Sequence, residues 1–223
     1  MERGENPELL EVTADWAICL KPAGTESEKG MPLLLEKRLE GRFFPVHRLD
    51  LNVGGVMVYA RSREAAAELS RLIQEGAFRK EYAALVHGAP PPEGRMEDLL
   101  WKDSVKNKVF VVKRPRQGVR KAVLTYRILG SAGEDRTAAA VFLETGRSHQ
   151  IRVQFASRGF PLWGDHKYGA RDGDRVLRLF CRRIAFPWRG REIAGEALPD
   201  WMPPGLYEKN PPPEVFLRGE TPG

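Results

Sequence analysis

The chain has 223 residues, room for one large domain or two small ones, and its 42% hydrophobic and 30% charged content excludes wholesale disorder. Lys and Arg number 36 against 30 Asp and Glu, a net charge of +6 that suits a polyanionic partner without establishing one. No apolar run approaches the roughly 20 residues that span a bilayer, and the polar, acidic start has no secretory apolar core. Cys19 and Cys181, far apart in apolar segments, read as buried thiols in a reducing cytosol rather than as a disulfide.

In chain order, the first dozen residues read as a loose lead-in. Trp16 to Leu20 is a short apolar run stopped by Lys21-Pro22-Ala23-Gly24, which predicts a buried strand and a turn. Leu33 to Leu39 is a short helix candidate. Gly55 to Ala60 is a strand, with Val56 and Val58 on one face and Met57 and Tyr59 on the other. A helix follows: Ser62 is its cap, Ala65, Leu69, Leu72 and Ile73 form its apolar face, and Gly76 is its stop. Tyr82 to Val86 reads as a strand, ended by Pro90, Pro91 and Pro92. Beyond it the candidate strands are Val109–Val112, Val123–Leu129, Ala138–Leu143 and Val176–Phe186. Ser148 to Arg158 reads as an amphipathic helix with Ser148 as N-cap, Ile151 and Phe155 inward and Gly159 as its stop. After Pro199 the chain turns proline-rich, as a surface-wrapping or partly disordered tail does. Many strands with few helices predict an α+β fold on a mainly antiparallel mixed sheet with flanking helices.

Four clusters carry candidate chemistry. Pro45-Val46-His47-Arg48-Leu49-Asp50 precedes a strand, and an Asp beside an Arg can be held ionised as a nucleophile or base. On these residues alone a surface ion pair is the simpler reading. In Arg79-Lys80-Glu81-Tyr82, the tyrosine is a rim aromatic or a surface for stacking a base. In Thr145-Gly146-Arg147-Ser148-His149-Gln150-Ile151-Arg152, Arg147 and His149 are placed to meet phosphate at a helix start. Arg152 lies beside the apolar stripe and needs a carboxylate, for which Asp50 is a candidate. The stretch Lys102 to Lys121 holds eight cations against the one acid Asp103. It is either a solvated hairpin face or, as the local asymmetry favours, a phosphate-contacting arm with Lys113, Arg114 and Arg116 in its loop. Four scattered histidines give no metal-ligand spacing, and no dinucleotide, P-loop or nucleophile-elbow motif is present.

The ordered set HRLD, a Gly-containing strand, KEYAALVHG, ETGRSHQIRVQFASRGFPLWGDHKYG and RLFCRRIAFPW, preceded by CLKPAG, resembles the RluA-type pseudouridine synthases. The match runs from about residue 12 to about residue 190. It implies that Asp50 is the essential aspartate, Tyr82 the active-site tyrosine, Arg152 the arginine that pairs with the aspartate, and Arg48 a residue engaging RNA near the displaced uridine. Lys80 and the arm cations join Arg48, Arg147 and His149 as expected RNA contacts.

The resemblance implies a pseudouridine synthase domain over 12–199, with a lead-in over 1–11, a tail over 200–223, and no preceding RNA-binding domain. It implies a cytoplasmic, monomeric enzyme that flips a uridine of ribosomal or transfer RNA into a pocket, with no cofactor, metal or membrane. Where the family reads D-x-x-T-S-G, this chain has Asp50-Leu51-Asn52-Val53-Gly54-Gly55. The two missing hydroxyls make a non-catalytic RNA-binding protein the alternative expectation.

Overall fold

The computed structural model describes residues 7–209, which cluster into two compact units. The first comprises residues 7–80 and Phe180–Pro199; the second comprises Glu81–Leu179 and residues 200–209. The expected catalytic span 12–199 contains most of both. The fold is α+β, with eleven strands and four short helices among the described residues.

In the first unit, β1 (Glu8–Val12) pairs antiparallel with β2 (Trp16–Lys21), so the supposed lead-in is a strand. Its charged ends hid it: Glu8 and Glu11 are tolerable because an edge strand is solvated on one side. β2 pairs antiparallel with β4 (Gly54–Ala60), and the two-residue β3 (Phe44–Pro45) pairs with the far end of β4. The short helix, α1 (Gly30–Glu36), begins three residues before its expected start. β10 (Leu179–Trp188) lies parallel to β4 at its start and antiparallel to β11 (Arg191–Glu196), a strand the sequence reading missed. The parallel contact is close. A Cβ on Gly55, at φ +132°, would lie 2.4 Å from the Cys181 carbonyl oxygen, so only glycine fits there.

β4 is buried on both faces, which explains its unbroken apolar run. Trp16 meets Phe186 edge-on at 5.9 Å, and Phe78 stacks on Phe186 at 5.3 Å. Against this core lies α2 (Arg63–Gln74), built as expected. The Ser62 hydroxyl accepts the Ala65 N–H at 3.0 Å, Ala65, Leu69 and Leu72 are buried, and Gly76 takes the left-handed conformation that ends the helix.

The second unit is an antiparallel sheet in the order β5 (Arg79–His87), β9 (Arg136–Leu143), β8 (Val119–Gly133), β6 (Glu93–Asp103), β7 (Lys108–Val112). β6 was missed because its polar residues break the alternation: only Met96 and Leu100 are deeply buried. One face carries Ala83, Leu85, Ala138, Ala140 and Phe142, closed by Met202 and Tyr207 from residues 200–209. The tail therefore begins as packed structure, with α4 at Leu206–Lys209. Pro211, Pro212, Pro213 and Pro222 lie outside the described residues. The other face carries α3 (Gln150–Ala156), with Val153 packed on Leu100, Val109 and Ala122.

α3 departs from the expected helix in two ways. It is shorter, and its N-cap residue is His149 at φ +51° rather than Ser148. It is also buried all round rather than amphipathic: Gln150, Arg152 and Gln154 are as enclosed as Ile151 and Phe155. Its polar residues are buried because each finds a partner.

Candidate active site

Asp50 sits half-buried in the loop between β3 and β4. Alternation fixes this loop: His47 and Leu49 point inward, while Arg48 points out. His47 is enclosed, and its Nε2 accepts the Val58 N–H at 3.2 Å. Burial, then the nearby Lys80 charge, hold its pKa well below the ordinary histidine value. It is a neutral acceptor that fastens the loop to β4. Leu49 is clamped through its backbone, its N–H donating to the Ser27 hydroxyl and its carbonyl accepting from that hydroxyl, each at 3.0 Å. Arg48 is exposed, with Glu28 at 3.9 Å.

The departure at Val53-Gly54 does not leave the loop unanchored. Lys21, 1% exposed, donates through Nζ to the carbonyls of Pro22 at 3.0 Å, Thr25 at 2.8 Å and Leu51 at 3.2 Å. The Gly24 N–H reaches the same Leu51 carbonyl at 2.8 Å, and the Val53 N–H closes a turn on the Asp50 carbonyl at 3.0 Å. One ammonium thus binds the Lys21-Pro22-Ala23-Gly24 turn to the residue after Asp50. Burial lowers its pKa from 10.5 to about 8, while the Asp50 charge acts in the opposite direction. Lys80, an expected RNA contact, lays its ammonium 5.5 Å over the Phe78 ring, and its pKa is lowered by burial.

In the second unit Tyr82 is buried on β5 opposite Val141 of β9, and Val141 in turn faces Tyr126 of β8. Tyr126 meets Phe155 of α3 edge-on at 5.1 Å, so Tyr82 shares the sheet face on which α3 packs. Arg152 projects from α3 into a two-pronged ion pair with Asp165: Nε to Oδ2 at 2.7 Å and Nη2 to Oδ1 at 2.8 Å. Asp165 is 1% exposed on its side chain. The buried guanidinium does need an acid, and the sequence reading overlooked this one. The available signal was the segment Gly164-Asp165-His166-Lys167-Tyr168, an acid set among a glycine, basic residues and a tyrosine.

Tyr168 completes that corner. Its ring lies 5.1 Å from the Arg152 guanidinium carbon, and its hydroxyl is 2.8 Å from both the Val109 N–H and His149 Nδ1. Gln150 ties the motif's first residues together, its Oε1 accepting from the Thr145 hydroxyl at 2.8 Å and the Arg147 N–H at 3.0 Å. Arg147 is exposed and donates through Nε to the Lys121 carbonyl at 3.0 Å. Lys113, Arg114 and Arg116 are all exposed in the β7–β8 loop.

A protein-family model described as RNA pseudouridylate synthase matches residues 15–157, which include Asp50, Tyr82 and all of α3. The chain belongs to this family of RNA pseudouridylate synthases. Its curated relatives place it in the RluA-type branch. Ribosomal large subunit pseudouridine synthase C of Buchnera aphidicola (subsp. Acyrthosiphon pisum) is 35% identical over 134 residues, covering 60% of this chain and 42% of that one. Ribosomal large subunit pseudouridine synthase D of Haemophilus influenzae is 34% identical over 176 residues, covering 71% and 51%. The chain thus spans about half or less of these relatives' length. The solved structure of human RNA pseudouridylate synthase domain containing 1 has the same fold, with a TM-score of 0.78 over 92% of this chain and 89% of that one at 23% identity.

Proposed function

We propose that this chain converts a uridine within RNA to pseudouridine. The N1–C1′ bond breaks, the uracil turns, C5 bonds to C1′, and the C5 proton is lost while N1 gains one. Asp50 initiates this as a nucleophile or as the base that takes the C2′ proton. Tyr82 stacks on the uracil, its hydroxyl serving the C5 proton. Arg152 takes the family's arginine role, its guanidinium plane fixed by Asp165. Arg48, Arg147, His149, Lys113, Arg114 and Arg116 contact the RNA backbone, while the packed position of Lys80 suits support of the fold. The catalytic region is the span 12–199, acting as a cytoplasmic monomer without cofactor. Relatives described as ribosomal large subunit enzymes favour ribosomal over transfer RNA as the substrate.

The observation that carries this reading is the family match over residues 15–157 with Asp50, Tyr82 and Arg152 all present. The many anchors of the Asp50 loop weigh against the binding-only alternative, which has no need of a positioned carboxylate. The test is tritium release from RNA labelled at uracil C5. Asp50→Asn, which keeps shape and removes charge, should abolish release with an unchanged circular dichroism spectrum. Substantial release by that variant would remove Asp50 from the chemistry.

A further inference from the structure

The second unit ends in an edge hairpin, β6–β7, whose composition is unusual for a merely solvated edge. Trp101 and Phe110 are directly opposed across it, with ring centroids 6.2 Å apart and planes 31° from parallel. They lie on the face away from α3, since the neighbouring residues Leu100 and Val109 point toward Val153 of that helix. Phe110 is 36% exposed. The Arg116 guanidinium carbon lies 4.4 Å from the Trp101 ring centre, and the Lys108 ammonium lies 5.8 Å from that of Phe110.

Two acids of this strand, Glu97 and Asp103, are already engaged. Asp103 accepts the Val105 and Lys106 N–H groups, each at 3.0 Å, and Glu97 is paired with Lys121 at 2.6 Å and Arg95 at 2.8 Å. The aromatic pair therefore faces solvent beside a local excess of cations. Phosphate binding alone has no use for two π-faces beside the cations. A cross-strand aromatic pair kept only for sheet stability gains nothing from the six further cations of the Lys102–Lys121 stretch.

We infer that the Trp101–Phe110 pair with Arg116 is a stacking platform for unpaired nucleotides of the RNA, so that the arm selects single-stranded segments rather than merely adding charge. This rests on the proposed RNA substrate. Aromatic faces accept any base once it is unstacked, whereas a duplex offers only phosphates and groove edges. The platform discriminates by strand state and tolerates sequence.

The experiment is equilibrium binding of the full chain to a fluorescent 12-nucleotide oligouridylate and to a blunt RNA duplex of equal length. It compares the parent chain with Phe110→Leu and Phe110→Tyr. Leu keeps apolar bulk without a π-face, and Tyr keeps both. The platform predicts about tenfold weaker single-strand binding for Leu, near-parental binding for Tyr, and unchanged duplex binding for both. Equal affinities of parent and Leu for the oligouridylate overturn it, as does an equal loss on duplex. A parent chain that binds neither RNA would instead refute the proposed substrate, which is a separable result.

Discussion

At the scale of single residues, Lys21 has the most specific consequence. An ammonium has three protons for three carbonyls; a neutral amine has two protons and a lone pair that faces the third. With its pKa lowered to about 8 by burial, Lys21 loses that proton within an accessible range. Between about pH 8 and 10.5 the folded chain binds fewer protons at this site than the unfolded chain, so this group does not lower folding stability as pH rises there. Turnover should nonetheless fall between pH 7 and 9 as the Leu51 tether weakens, even though this group's own contribution to folding stability rises with pH there. A flat rate across that window would remove Lys21 from the positioning of Asp50. Arg152 makes the opposite kind of prediction, one about stability. Arg152→Ala leaves the carboxylate of Asp165 enclosed without its bidentate partner, which costs about 3–5 kcal/mol. Urea unfolding followed by circular dichroism measures this; a loss below about 1 kcal/mol would mean that Asp165 is rescued by neighbouring groups or water.

At the scale of elements, the second unit has a tie that a strand register alone would not provide. His87, the last residue of β5, reaches Asp135 in the β8–β9 turn through Nδ1 at 2.9 Å and Asp172 through Nε2 at 2.7 Å, and stacks on Trp163 at 4.3 Å. Burial opposes its charge, but the two carboxylates outweigh burial and raise its pKa. A histidine with a raised folded pKa contributes stability that is fully present below the unfolded value near 6.5 and disappears as pH climbs through the folded value. His87→Asn should therefore lower the melting temperature more at pH 6 than at pH 9. An equal loss at both would show that the ring acts only through its contact with Trp163.

Elements also show what was legible in the sequence and what was not. α2 was readable because cap, apolar stripe and glycine stop all agree locally. β4 was readable because a strand buried on both faces is apolar throughout. β1 and β6 were not, since an edge strand and a strand with one mostly polar face owe their pairing to partners distant in sequence. The Ser148 cap was not met because the helix starts one residue later, with His149 in the left-handed conformation at its N-cap. Arg152 announced its need for an acid, but Asp165 was not legible as one, because it arrives through the fold.

At the scale of the whole chain, fold class and family were legible from motif order, whereas the division into two units was not. It depends on where β10 pairs: the segment Phe180–Pro199 returns to residues far upstream. That return has a temporal meaning. A ribosome makes the chain from the N-terminus, so the unit that carries Asp50 stays without β10 and β11 until residue 199 has been synthesised and cleared the exit tunnel. By then all of Glu81–Leu179 has been made. A chain stalled near residue 179 should show protease cleavage in the Asp50 loop, with protection arriving only when release extends past residue 199. The carboxylate proposed to initiate the reaction would thus be assembled late, after synthesis of every residue through Pro199.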